Sequence, residues 1–96
     1  MNNYELLFII KSTLEEDKKE AVIETVKGII EHDGGEIAKV DVWGMKKLAY
    51  PIQKMNEGYY VVVEFAAKPE LPHELDRRLK ISDNVIRHMI INKDEK

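Results

Sequence analysis

Ninety-six residues and 11.2 kDa are the size of a single domain, residues 1–96, with material for one modest core. Hydrophobic residues at 44% and charged ones at 34% describe a folded chain, and the lack of cysteine excludes disulfides, thiolate metal sites and a cysteine nucleophile together. No apolar run exceeds the five residues of Leu6 to Ile10, and no basic stretch leads into a cleavable apolar segment, so the expected location is the cytoplasm. The net charge of −3 conceals segregation: residues 11–36 set four lysines against eight acids. Residues 39–54 set Lys39, Lys46, Lys47 and Lys54 against Asp41, and residues 77–88 set Arg77, Arg78, Lys80 and Arg87 against Asp83. An acidic chain of this kind is still able to present a cationic face.

Tyr4 to Ile10 alternates as a strand, with Tyr4, Leu6, Phe8 and Ile10 on one side and Glu5, Leu7 and Ile9 on the other. Thr13 with Glu16 reads as a capping box opening a helix over about residues 14–33, in which Val22, Ile23, Val26, Ile29 and Ile30 recur at helical spacing. Gly34 and Gly35 end it. Glu36 to Tyr50 is a long strand with a bulge expected at Gly44 and a stop at Pro51, followed by a loop from Lys54 to Gly58. Tyr59 to Ala67 is a third strand. Leu71, Leu75 and Leu79 mark a short helix, Val85 to Asn92 a last strand, and Lys93 to Lys96 a frayed end.

The order βαββαβ is the split-βαβ pattern of an α+β, ferredoxin-like fold: a four-stranded antiparallel sheet with two helices on one face. The uncovered face should then be polar. Here parity places Leu7, Ile9, Tyr60 and Val62 on it, joined in the last strand by either Val85, Met89 and Ile91 or Ile86 and Ile90; the first set is expected, because Arg87 shares its parity and could reach RNA. A patch of that extent points to a partner, unless the segment before Pro51 or the tail folds across it. On that reading Val62→Lys abolishes partner binding and leaves the isolated domain stable.

Catalytic groupings do not assemble in the pattern. Ser12 and Ser82 lack a nucleophile-elbow context, and His32, His73 and His88 show no metal-ligand spacing, so neither an enzyme nor a cofactor is expected. Lys46 and Lys47 beside Trp43 and Tyr50 combine cations for phosphates with planar groups for bases, although lysines also guard exposed sheet edges. The run from Glu57 to Phe65 loosely echoes the third strand of RNA-recognition motifs, with Glu57 in place of a basic residue and Val61 in place of a stacking aromatic.

The run Trp43-Gly44-Met45-Lys46-Lys47-Leu48-Ala49-Tyr50-Pro51-Ile52 resembles the second-strand signature of the bacterial family of ribosomal protein six of the small subunit. Tyr4-Glu5, Gly58-Tyr59 and Ile81 to Arg87 resemble the family's other motifs in the same order, so the resemblance spans essentially the whole chain. It implies a ferredoxin-like structural protein that binds small-subunit (16S) ribosomal RNA in the central domain together with ribosomal protein eighteen. Carried over by position, it makes Lys46, Lys47, Lys80 and Arg87 the expected RNA-binding residues. Lysine in place of arginine at 46 and 47 favours phosphate contact over base reading, and Asn2 stands where the family commonly has arginine. The expected partner-binding residues are Leu7, Ile9, Trp43, Tyr60, Val62, Met89 and Ile91. A small-ligand regulatory domain and a homo-oligomeric module of the same fold are the alternatives.

Overall fold

Alternation of apolar side chains in the strands, set against the 3.6-residue repeat in two segments, sorts this chain into a sheet and one helical layer. A computed structural model describes residues 1–52 and 54–94. The elements are β1 (Asn2–Lys11), α1 (Glu16–His32), β2 (Glu36–Ile52), β3 (Met55–Ala67), α2 (Leu71–Lys80) and β4 (Val85–Asn92). The strands form one antiparallel sheet in the order β2-β3-β1-β4. Pairing of Leu6 with Val63, Phe8 with Val61 and Tyr4 with Phe65 stacks the helix-facing side of β1 and β3 into the core. Ile23, Val26 and Ile30 of α1 and Leu71, Leu75 and Leu79 of α2 close that core from above. Lys19 of α1, only 4% exposed, lays its ammonium 4.7 Å from the Tyr59 ring centroid and clamps the helix to β3.

The start of α1 departs from the capping box. Thr13 lies in the preceding turn, two residues too early, and Glu15 holds the N-cap position without a side-chain cap bond. Glu16 and Asp17 in the first turn supply the negative charge that the helix dipole favours. The other end follows the expectation closely. The Gly35 N–H donates to the Ile30 carbonyl at 2.9 Å and the Gly34 N–H to Glu31 at 3.1 Å, with Gly34 at φ 84°. This paired closure of the last turn needs a left-handed residue, which glycine supplies without strain.

Three further differences bear on the site. β2 continues through Pro51 to Ile52, because on an edge strand the missing proline N–H breaks no ladder bond. β3 begins at Met55, so the expected loop from Lys54 to Gly58 shrinks to a tight reversal with Lys54 at φ 67°. The tail is tied down as far as it is described: the Lys93 N–H donates to the Asn3 carbonyl at 2.8 Å, and the Asn3 N–H donates to Asp94 Oδ2 at 2.7 Å. Lys93 also pairs with Glu64. Residues 95 and 96 lie outside the described residues.

The uncovered face of the sheet carries Leu7, Ile9, Tyr60, Val62, Met89 and Ile91, as parity requires. Val85 does not join them. The pairing shifts by one residue between Ile9, opposite Arg87, and Ile10, opposite Val85, and this single insertion turns Val85 into the helix-side core. The face is also less open than alternation alone suggests: Ile9 is 4% and Val62 6% exposed. The last residues of β2 fold across it. A Cβ built at Gly58 would collide with Ile9 Cγ2 and sit 3.4 Å from Leu48 Cδ2 and 3.7 Å from Ile86 Cδ1. Leu48 therefore closes over β1 and β3 from the end of β2. Gly58→Ala should destabilise the chain by about 1–3 kcal/mol, the usual cost of overpacking. Chemical denaturation would read that loss, and an unchanged midpoint would show that the Ile9 side chain gives way without cost.

Candidate nucleic-acid interface

The four expected RNA-binding residues occupy different surroundings. Lys46 and Lys47 are exposed on β2, an edge strand, opposite Gly58 and Glu57 respectively. As neighbours on a strand they point to opposite faces. Lys46 shares the uncovered face with Tyr60, and Lys47 lies on the other side of the edge. Arg87 on β4 faces the same uncovered side and donates from Nη1 to the Tyr50 hydroxyl at 2.9 Å. β2 and β4 are opposite edges of the sheet, so this bond spans the face and fastens the β2 end over it.

Lys80 is placed differently. It ends α2 and pairs with Asp76 at 3.0 Å. Arg77 and Arg78 likewise turn toward Glu74, at 2.6 and 3.8 Å. The positive segment read at residues 77–88 is thus largely balanced by carboxylates one helical turn upstream, and Arg87 has a hydroxyl rather than a carboxylate as its recorded partner. A groove of about 500 Å³ lined by Lys80, Ser82, Asp83, Ile86 and Arg87 connects the two cations.

His88, expected as a residue at the core edge, has its side chain 13% exposed and meets Asp76 Oδ1 through Nε2 at 2.6 Å. The hydrogen bond from His88, followed by that from Lys80, holds the Asp76 carboxyl below its ordinary range. A carboxyl depressed in the folded state stabilises above its unfolded pKa, and that contribution disappears as pH falls through the folded value. The fold should therefore lose stability as pH drops below about 4, and Asp76→Asn should flatten that dependence. Parallel acid-unfolding curves for the two proteins would remove Asp76 from the balance.

Trp43 is half-exposed and owes its position to a bulge. Trp43 and Gly44 together stand opposite Tyr60, with Gly44 at φ 84°, a backbone state open to glycine. The indole lies parallel to the Tyr60 ring, 8° between planes and 6.3 Å between centroids, and donates its N–H to Asp41 Oδ2 at 3.2 Å. Lys46 Nζ lies 6.0 Å from the indole centroid. Across the sheet, Leu7, Ile9, Tyr60, Arg87 and Met89 line a recess of about 150 Å³, and Met89 and Ile91 are 46% and 47% exposed. The expected partner-binding residues thus separate: Leu7, Tyr60 and Met89 line the recess with buried Ile9, Ile91 is exposed on the same face outside it, Val62 is buried beside Leu7, and Trp43 belongs to the β2 edge.

The third-strand echo of RNA-recognition motifs falls out of phase. Tyr59 pairs with Ile10 and Val61 with Phe8, which puts both on the helix side, away from any ligand on the uncovered face. Tyr50, read in the sequence as a planar group for bases, instead accepts the Arg87 bond that secures the covering segment, and Leu48 carries no distinguishing signal beyond lying in the conspicuous run before Pro51. The anchoring of Trp43 by Asp41 depends on the bulge and is equally hidden.

Among the described residues no group of three His, Asp or Glu side chains is arranged to hold a metal ion, and no helix is long and apolar enough to cross a membrane. A split-βαβ sheet with a cationic edge, a held aromatic pair and a partly apolar uncovered face is a binding scaffold. The family model described as ribosomal protein S6 matches residues 3–92. Small ribosomal subunit protein bS6 of Clostridium novyi (strain NT) is 52% identical over 95 residues, covering 99% of this chain and 100% of that one. The bS6 protein of Alkaliphilus oremlandii is 56% identical over 91 residues, 95% of this chain and 96% of its own. The crystal structure of 30S ribosomal protein S6 from Thermotoga maritima matches with a TM-score of 0.92 at 36% identity, over 96% of this chain and 87% of that chain. The chain belongs to the ribosomal protein S6 family, structural and non-enzymatic constituents of the small ribosomal subunit.

Proposed function

We propose that this chain binds small-subunit (16S) ribosomal RNA in the central domain, in the cytoplasm, and does so together with ribosomal protein eighteen. The observation that carries the reading is the segregation of charge. Lys39, Lys46 and Lys47 line the exposed edge strand, and Arg87 lies across the uncovered face, on a chain whose net charge is −3. Lys46, Lys47 and Arg87 are the phosphate contacts, and Lys80 is reached through the groove it shares with Arg87. Lys46 and Lys47 bring the protein to the RNA without reading sequence, which is the ordinary role of phosphate contacts.

The uncovered face carrying Leu7, Tyr60, Met89 and Ile91 is the surface for ribosomal protein eighteen, with buried Ile9 and Val62 on the same face. The recess of about 150 Å³ accommodates one inserted apolar side chain, and Arg87 at its border links the protein contact to the RNA contact. Titrating a central-domain fragment of small-subunit RNA with the chain, with and without ribosomal protein eighteen and at several salt concentrations, tests both parts. Salt-dependent binding strengthened by the second protein is expected. Binding insensitive to salt would exclude phosphate contact, and affinity indifferent to ribosomal protein eighteen would exclude the partnership.

A further inference from the structure

We infer that Trp43 is a stacking platform for one unpaired base of the bound RNA, a role that rests on the RNA-binding reading and extends it from phosphates to a base. A large indole 48% exposed on a small domain is costly to leave in water, yet this one is held still. One face is occupied by Tyr60 at 6.3 Å, and the N–H is committed to Asp41 at 3.2 Å. The bulge at Gly44 fixes the backbone beneath it. The indole therefore has its orientation set before any ligand arrives, so little freedom remains to be lost on binding.

Its setting favours a nucleotide over an apolar protein side chain. Trp43 lies on β2, three strand spacings or about 14 Å from the strand that carries Met89 and Ile91. The cation near its ring is Lys46, 6.0 Å from the centroid on the same face, while Lys39 and Lys47 stand exposed farther along the strand and the Asp41 carboxylate is taken up by the indole N–H. Lys46 Nζ lies over the ring, and a flat ring under a flexible ammonium that can swing off it to a phosphate is the combination that takes a base and its phosphate together. Because Tyr60 covers the inner face, the platform accepts a single base. Because the N–H is already donated to Asp41, the ring offers its π face and no hydrogen bond, so the site tolerates any base.

Trp43 is the sole tryptophan of the chain, which makes its fluorescence a direct readout. In a titration with the central-domain RNA fragment, emission of the unmodified chain should be quenched as the complex forms. Trp43→Ala should bind roughly 10-fold or more weakly with an unchanged salt slope, as expected for loss of stacking and not of charge. Trp43→Phe should recover most of the affinity, and circular dichroism should show both variants folded. RNA binding with unaltered emission and undiminished affinity in Trp43→Ala overturns the platform while leaving the phosphate contacts standing. An emission change on adding ribosomal protein eighteen alone, with none on adding RNA, also overturns it and assigns the indole to the protein interface. Absence of any RNA binding defeats the platform and the RNA reading together.

Discussion

Val62→Lys should destabilise the isolated chain by about 3 kcal/mol or more, even though Val62 faces the side of the sheet that no helix covers. The side chain is only 6% exposed, flanked in the ladder by Leu7 on one neighbouring strand and Asp41 on the other. Removing it forfeits roughly 1.5–3 kcal/mol of apolar burial, and an ammonium in its place must either be desolvated or push its neighbours apart. Strand alternation on its own leads to the opposite expectation, an open residue whose substitution affects partner binding and not folding. Chemical denaturation separates the two. A midpoint within experimental error of the unmodified chain would mean that the face opens readily in solution. Met89→Lys, at a residue 46% exposed on the same face, should by contrast leave stability nearly unchanged and weaken binding of ribosomal protein eighteen.

The double variant Lys46→Ala with Lys47→Ala should reduce the salt dependence of RNA binding by roughly 1.4–1.8 units of log–log slope. Each phosphate contact accounts for about 0.7–0.9 of that slope through release of a counterion. Both lysines are exposed on an edge strand, so neither holds the fold and the variant should unfold at the same denaturant concentration. The two point to opposite sides of the edge, so an RNA strand that touches both must wrap the β2 edge. Lys46→Ala alone, on the side of Trp43 and Arg87, should account for half the change. An unchanged slope in the double variant would remove this edge from the interface.

How much of this could be read from the chain itself follows from which features have a period. The helices rest on a visible 3.6-residue repeat, and the core of β1 and β3 with the parity of Leu7, Ile9, Tyr60 and Val62 on the two-residue repeat of strands; in β4 alternation alone leaves two sets, and Met89 and Ile91 follow only from sharing the parity of Arg87. That same repeat misplaces Val85, because the bulge opposite Ile9 and Ile10 inserts one residue without a glycine to announce it. The bulge at Trp43 was legible because Gly44 marks it. The segment before Pro51 is one the sequence offers as a cover for this face, but the partners it finds, Ile9 beneath Leu48 and Arg87 on Tyr50, lie 39 and 37 positions away and no local pattern encodes them. Likewise the positive segment at residues 77–88 lost its weight only when the helix brought Glu74 and Asp76 alongside Arg77, Arg78 and Lys80. Cationic runs are visible in a sequence; their neutralisation depends on the turn of the helix that carries them.

Sedimentation of an extract of cells expressing the chain, in low salt, tests most directly the claim that it is held in the small ribosomal subunit through its lysine-bearing edge. The unmodified chain should migrate with small subunits and be released as salt is raised. The Lys46→Ala, Lys47→Ala variant, equally folded, should leave the subunit fractions at lower salt. Free protein at the top of the gradient in low salt, or a variant retained as firmly as the unmodified chain, would contradict the account.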